Sequence, residues 1–104
     1  MAVEFLKSLG HKIITTNYRY KKLGEIDIIT KNENKLHFVE VKTRKNDWYG
    51  LPAEAVSYKK LSKIIRVSEV FRAENKLENL NYQLDVISIT LATDKIEYYP
   101  NVTM

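Results

Sequence analysis

Gly24-Glu25-Ile26-Asp27-Ile28-Ile29-Thr30-Lys31-Asn32-Glu33-Asn34-Lys35-Leu36-His37-Phe38-Val39-Glu40-Val41-Lys42-Thr43-Arg44 is the stretch that decides the fold. Two runs rich in β-branched residues flank the polar turn Asn32-Glu33-Asn34-Lys35. The pattern predicts two antiparallel strands, Leu23 to Thr30 and Leu36 to Thr43, joined by a tight hairpin. With Glu33 and Asn34 as the loop residues, Asn32 pairs with Lys35, Ile28 lies opposite Val39, and Ile26 lies opposite Val41. Those four apolar side chains then share one face of the ribbon. Asp27 falls opposite Glu40, and Glu25 opposite Lys42, on the other face. A slip of one residue would mix the two sets, so the hydrophobic pattern itself selects this register.

Outward from the hairpin, Lys12 to Tyr20 is rich in Ile, Thr and Tyr and reads as a further strand. Ahead of it, Val3, Phe5, Leu6 and Leu9 fall at helical spacing, which predicts a short helix from Ala2 to Leu9 with Gly10 as its stop. After the hairpin, Arg44 to Leu51 reads as a loop, and Pro52 suits the first turn of a helix. That helix is expected from about Ala53 to Glu74, with Val56, Leu61, Ile64, Ile65, Val67 and Phe71 facing inward. Tyr82 to Leu91 and Lys95 to Tyr99 read as two more strands, separated by a turn at Thr93-Asp94. The order is helix, three strands, helix, two strands. It predicts an α/β chain in which helices pack on a mixed sheet, one domain over residues 1–104.

The opposed acids carry the chemistry. Directly opposed residues place their Cβ atoms roughly 4.5–5.5 Å apart, where two carboxylates repel. A divalent cation between them turns that repulsion into a binding site. Mg²⁺ takes oxygen ligands, accepts one or two carboxylates and keeps several waters. The backbone carbonyl of Val41 is a further candidate ligand beside Asp27 and Glu40. Lys42 projects onto the same face, where its ammonium suits a phosphate under attack or an attacking water. The bland alternative is a solvated, charge-laced sheet face. An acid–acid pair on two strands apolar enough to be interior weighs against it.

Composition narrows the class. The 104 residues hold 17 lysines and arginines against 13 acids, a net charge of +4 that favours a polyanionic partner. There is no cysteine, which excludes disulfides and thiolate zinc sites. His11 and His37 are far apart and lack a ligand spacing, so neither is expected to bind metal. No apolar run approaches the roughly 20 residues that span a bilayer. The segment from Met1 to Gly10 is amphipathic and unlike a signal peptide, so the expected location is cytoplasmic.

Gly24-Glu25-Ile26-Asp27-Ile28-Ile29 followed by Phe38-Val39-Glu40-Val41-Lys42-Thr43-Arg44 resembles the motifs of the YraN-like family. These are predicted endonucleases related to archaeal Holliday junction resolvases, within the PD-(D/E)xK restriction-endonuclease-like superfamily. The likeness extends to Ala2-x-x-Phe5-Leu6, Gly10, Asn17-Tyr18-Arg19, Gly50, Pro52, Glu54-Ala55-Val56, Lys59 and the strand Leu84-Asp85-Val86-Ile87-Ser88-Ile89. It implies a restriction-endonuclease-like core of αβββαβ order, with Asp27 and Glu40 holding Mg²⁺ or Mn²⁺, Lys42 assisting catalysis, and Glu25 as an auxiliary acid. By the same likeness the substrate is nucleic acid, DNA and branched DNA foremost, and a homodimer would suit a junction. The family also carries a Gly-Glu pair just ahead of the first helix. The sequence here begins at Met1-Ala2, and Glu4 lies about 140° around the helix from that glutamate, so it does not replace it. A nucleic-acid-binding module of the same fold without catalysis is therefore the competing expectation.

Several other residues admit two readings. Lys59, Lys63 and Arg66, with Lys60 beside them, are either a phosphate-neutralising stripe or the solvated face of the helix. Arg44 and Lys45 follow the site strand, where a nucleic-acid backbone would pass. Arg19, Lys21 and Lys22 are a basic run that touches nucleic acid or simply forms an exposed turn. Trp48 and Tyr49 either stack on unpaired bases or cover a core edge. Asp85, inside an apolar strand, reads as a buried hydrogen-bonding residue.

Overall fold

The computed structural model describes residues 1–45 and 57–102. In chain order the elements are α1 (Ala2–Ser8), β1 (Lys12–Tyr20), β2 (Gly24–Asn32), β3 (Lys35–Arg44), α2 (Tyr58–Glu74), β4 (Asn81–Thr90) and β5 (Lys95–Tyr99). The five strands form one sheet in sequential order. Neighbours are antiparallel except β3 and β4, which run parallel and are joined through α2. A parallel pair needs such a long crossover, and a helix supplies it. This is the expected mixed α/β architecture, and it is compatible with a restriction-endonuclease-like core.

The two helices cover opposite faces of the sheet. Leu61, Ile64, Val67 and Phe71 of α2 recur at helical spacing and pack on Ile26, Ile29, Leu36, Phe38, Leu84 and Val86. Ala2 and Leu6 of α1 pack on Ile28, Val39, Ile87 and Ile89. Leu6, Ile29, Val39 and Ile87 have no solvent exposure at all. Each such side chain contributes roughly 1.5–3 kcal/mol relative to its exposed state. No helix among the described residues is long and apolar enough to cross a membrane.

The hairpin forms as the sequence predicts at its closed end. Asn32 pairs with Lys35, and the register runs through Thr30–His37 to Ile28–Val39. Glu33 and Asn34 both take positive φ, 52° and 64°, the conformation that a two-residue hairpin loop requires.

Beyond Ile28–Val39 the expectation fails. The β2–β3 ladder stops there, so Glu25 does not lie opposite Lys42, and Ile26 does not pair with Val41. Nor do Ile26 and Ile28 share a face: Ile26 packs under α2, Ile28 under α1. The cause lies on the other side of β2. Thr16 pairs with Ile28 and Tyr18 with Ile26, and between these pairs stand Asn17 and Asp27. Asn17 has φ 52°, which breaks the alternation of β1, and Tyr18 joins Ile26 on the α2 side. β2 thus turns over at Asp27 and parts from β3.

The second helix also starts later than expected. Ser57 has extended backbone angles and its hydroxyl accepts from the Lys60 amide at 3.2 Å, so it is the N-cap and the helix begins at Tyr58. The expected first turns at Ala53 to Val56 lie outside the described residues.

Candidate functional site

The parting of β2 from β3 is what builds the site. Where the ladder would continue, the Val41 amide instead donates to Asp27 Oδ2 at 2.7 Å. The carboxylate of Asp27 therefore takes the place of a strand neighbour and is fixed by the backbone of β3. On its other edge β3 stays paired to β4 through Val41–Ile87 and Lys42–Ser88, so the split is one-sided and held rigid.

Glu40 is buried on the α2 side of β3, and its carboxyl hydrogen-bonds with that of Asp27. Asp27 and Glu40 thus meet through their side chains, although they are not ladder partners. Burial, that hydrogen bond and the charge of Asp27 push the Glu40 carboxyl up to about 7, against the pull of Lys60. Lys60 Nζ lies 3.3 Å from Glu40 Oε2, yet that buried oxygen has no well-directed hydrogen bond among the described residues. A carboxylate oxygen left in this state is costly unless something cationic completes it.

Lys42 follows two positions along β3 and is half-buried. A hydrogen bond with Lys60, then burial and the like charge of Lys60, hold its ammonium below the usual lysine range, while Glu40 and Asp27 pull the other way. Lys60 is shifted upward by the same hydrogen bond and by the two acids, against burial. The site therefore gathers two carboxyl groups and two lysine side chains, with Lys60 Nζ in direct contact with Glu40.

The other sequence candidates are placed as follows. Glu25 faces Arg19 across the β1–β2 ladder, with Oε1 4.0 Å from Arg19 Nη2, and has no ladder pairing to Lys42. Arg44 is half-buried, with Nη2 3.9 Å from Glu97 Oε1 on β5. Lys59 and Lys63 are exposed and line a cleft of about 390 Å³ together with Gly24, Glu25, Ser57 and Lys60. On the opposite face, Asp27 and Val41 line a groove of about 480 Å³ beside Asn17 and Val3. Trp48, Tyr49, Gly50, Pro52 and Glu54-Ala55-Val56 lie outside the described residues. Among the described residues, no group of three acids or histidines converges as a metal cluster.

Lys60 is the residue that sequence reasoning missed as part of the site. Its signal was present: with Ile64, Val67 and Phe71 it falls on the inward stripe of α2, unlike Lys59 and Lys63. A lysine on the buried stripe of a helix calls for an acid opposite it.

A family model described as uncharacterised protein family UPF0102 matches residues 1–89, which include every element of the site. A UPF0102 protein of Clostridioides difficile is 46% identical over 101 residues, covering 97% of this chain and 88% of the relative. One of Acetivibrio thermocellus is 41% identical over 88 residues, covering 85% and 68%. One of Clostridium acetobutylicum is 47% identical over 87 residues, covering 84% and 70%.

Proposed function

The chain belongs to the uncharacterised protein family UPF0102, the YraN-like family its motifs resemble, and from its site we propose a divalent-metal-dependent nuclease that hydrolyses phosphodiester bonds in DNA. One observation carries this reading: the Asp27 and Glu40 carboxyls are held against each other at a strand split, with a buried Glu40 oxygen that has no directed partner among the described residues and a lysine alongside. That donor set fits Mg²⁺ or Mn²⁺, which accept hard oxygen ligands and only one or two carboxylates. Asp27, Glu40 and the backbone carbonyl of Val41 would hold the ion. The chemistry supplied there by a bound ion is a lowered water pKa and neutralised phosphoryl oxygens.

The chain's own residues do the rest. Val41 fixes Asp27, so the first carboxylate is already oriented before any ligand arrives. β3 is paired with β4 throughout, so Glu40 and Lys42 project from a hydrogen-bonded strand. Lys42 lies beside the two acids, where its ammonium suits a phosphate under attack or the orientation of the attacking water. Lys59 and Lys63 in the adjoining cleft offer exposed ammonium groups to neighbouring phosphates.

The test is cleavage of labelled four-way junction, flap, duplex and single-stranded DNA, and of RNA, with Mg²⁺ or Mn²⁺ and with EDTA. Cutting is expected only with metal, and Asp27→Ala and Lys42→Ala are each expected to slow it by about 10²–10³-fold or more. Junction cutting above duplex cutting would bear out the branched substrate that the family resemblance implies. Absence of cutting on every substrate by the wild type would replace the nuclease with a binding module of the same fold.

A further inference from the structure

The basic partner of Glu40 comes from the first turn of α2, and the nuclease reading leaves it without a task. Lys60 Nζ lies 3.3 Å from Glu40 Oε2. Its side chain is 41% exposed, whereas that of Glu40 is 8% exposed, so the ammonium reaches a buried oxygen from an open cleft. The same side chain lines that cleft beside Lys59, Lys63 and Ser57. Its backbone is anchored, since the Ser57 hydroxyl accepts from the Lys60 amide at 3.2 Å. Between that anchored backbone and the ammonium lies only the flexible stem of the side chain.

We propose that Lys60 is the resident counter-ion of Glu40 in the metal-free site, and that metal loading releases its ammonium into the cleft to meet a phosphate of the substrate. This rests on the metal-dependent reading above. The physical reason is that two cations do not both sit on one buried carboxylate oxygen without repulsion. A divalent ion held by Asp27 and Glu40 would make the stronger contact, so the monovalent, stem-mounted charge is the one displaced. The cleft is where it goes, because the Lys60 side chain already lines it. Lys60 is thereby a positioning residue in the metal-free state and a substrate contact in the loaded one.

The experiment has two readouts on the intact chain. Mn²⁺ affinity is measured by calorimetry for the wild type, Lys60→Met, Lys60→Arg and the charge control Lys12→Met, whose lysine is exposed on β1. Thermal melts establish that each variant folds. Removing a half-exposed competitor is expected to tighten Mn²⁺ binding about 3–10-fold in Lys60→Met. Lys60→Arg and Lys12→Met are expected to stay near the wild-type value. In the second readout, anisotropy of a labelled duplex is followed in Ca²⁺. Lys60→Met is expected to bind that duplex more weakly and with a shallower salt dependence, by about one phosphate contact, whereas in EDTA it matches the wild type. Unchanged or weaker Mn²⁺ affinity in Lys60→Met, with the wild type binding Mn²⁺, would overturn the inference and leave the nuclease reading standing. Failure of both wild type and Lys60→Met to bind Mn²⁺ would overturn the metal reading itself and the inference with it.

Discussion

Glu40 on β3 and Asp85 on β4 stand one rung apart in the same parallel ladder, both buried, and they differ in almost every other respect. Asp85 points to the α1 side and is saturated. It accepts from Tyr98 at 2.6 Å, from Gln83 at 2.7 Å and from the Asn101 amide at 2.9 Å, and it pairs with His37 Nδ1 at 2.7 Å. Burial raises its carboxyl, but those four partners outweigh burial and hold it below the usual aspartate value. Glu40 points to the α2 side, meets another carboxyl, and is raised to about 7. Burial of an acid is thus common to both faces of the sheet. What separates a structural acid from a site acid is whether the protein itself completes its hydrogen bonds. The closed end extends the same logic: His11 Nδ1 meets Thr30 Oγ1 at 2.6 Å and its ring packs against His37, so both histidines are consumed by the network. Burial, then the charge of His37, keep the His11 imidazole less basic than usual, against Asp85.

The largest effect that would break this contrast is on stability, at Asp85 on the α1 face. Asp85→Ala leaves four donors without their acceptor, the buried His37 among them, and is expected to cost about 3–5 kcal/mol. Urea unfolding measures it, and a loss below about 1 kcal/mol would mean that the network contributes no more than a surface pair.

A smaller effect, of opposite sign, is expected at the split end. The Glu40 carboxyl binds its proton more tightly in the folded chain, about 7 against an ordinary 4.5. Its contribution to stability is therefore fully present below about 4.5 and is lost as pH rises through about 7. Glu40→Gln removes that loss. The variant is expected to melt about 4 °C above the wild type at pH 8 and level with it at pH 4, while DNA cleavage disappears. Equal melting temperatures at pH 8 would show that Glu40 is as well completed as Asp85. Asp85 runs the other way, since its contribution is present above its ordinary value and is lost only as pH falls through its depressed one.

The smallest effect sharpens the contrast by touching the closed end alone. Asn34→Gly relieves a positive φ in the hairpin loop and is expected to stabilise by about 0.5 kcal/mol. Cleavage by this variant should match the wild type. A change in activity would mean that hairpin register and the strand split are coupled along β2.

How far each part could be read in advance follows from the range of the forces involved. The five strands, the hairpin loop and the register from Asn32–Lys35 to Ile28–Val39 were legible because turn chemistry and alternation act over a few residues. The pairing of Ile26 with Val41 was not, because the turnover of β2 at Asp27 is matched by Asn17 on a neighbouring strand. Asp27, Glu40 and Lys42 were grouped through expected Asp27–Glu40 and Glu25–Lys42 ladder pairs, which the structure does not form. The start of α2 was misplaced because Pro52 and Ser57 both offer a helix start, and local preference does not rank them.

The sequence by itself determined which residues are apolar on which strand, where the chain turns, and that two acids and a lysine fall within one hairpin. Only the tertiary structure decided that Asp27 takes a main-chain partner's place on Val41, that Glu40 faces α2, and that Lys60 reaches it across the gap between helix and sheet. The physical reason is distance along the chain: periodicity and turn preference are local, whereas the burial that leaves one carboxylate unfinished and completes another depends on which distant element packs over it.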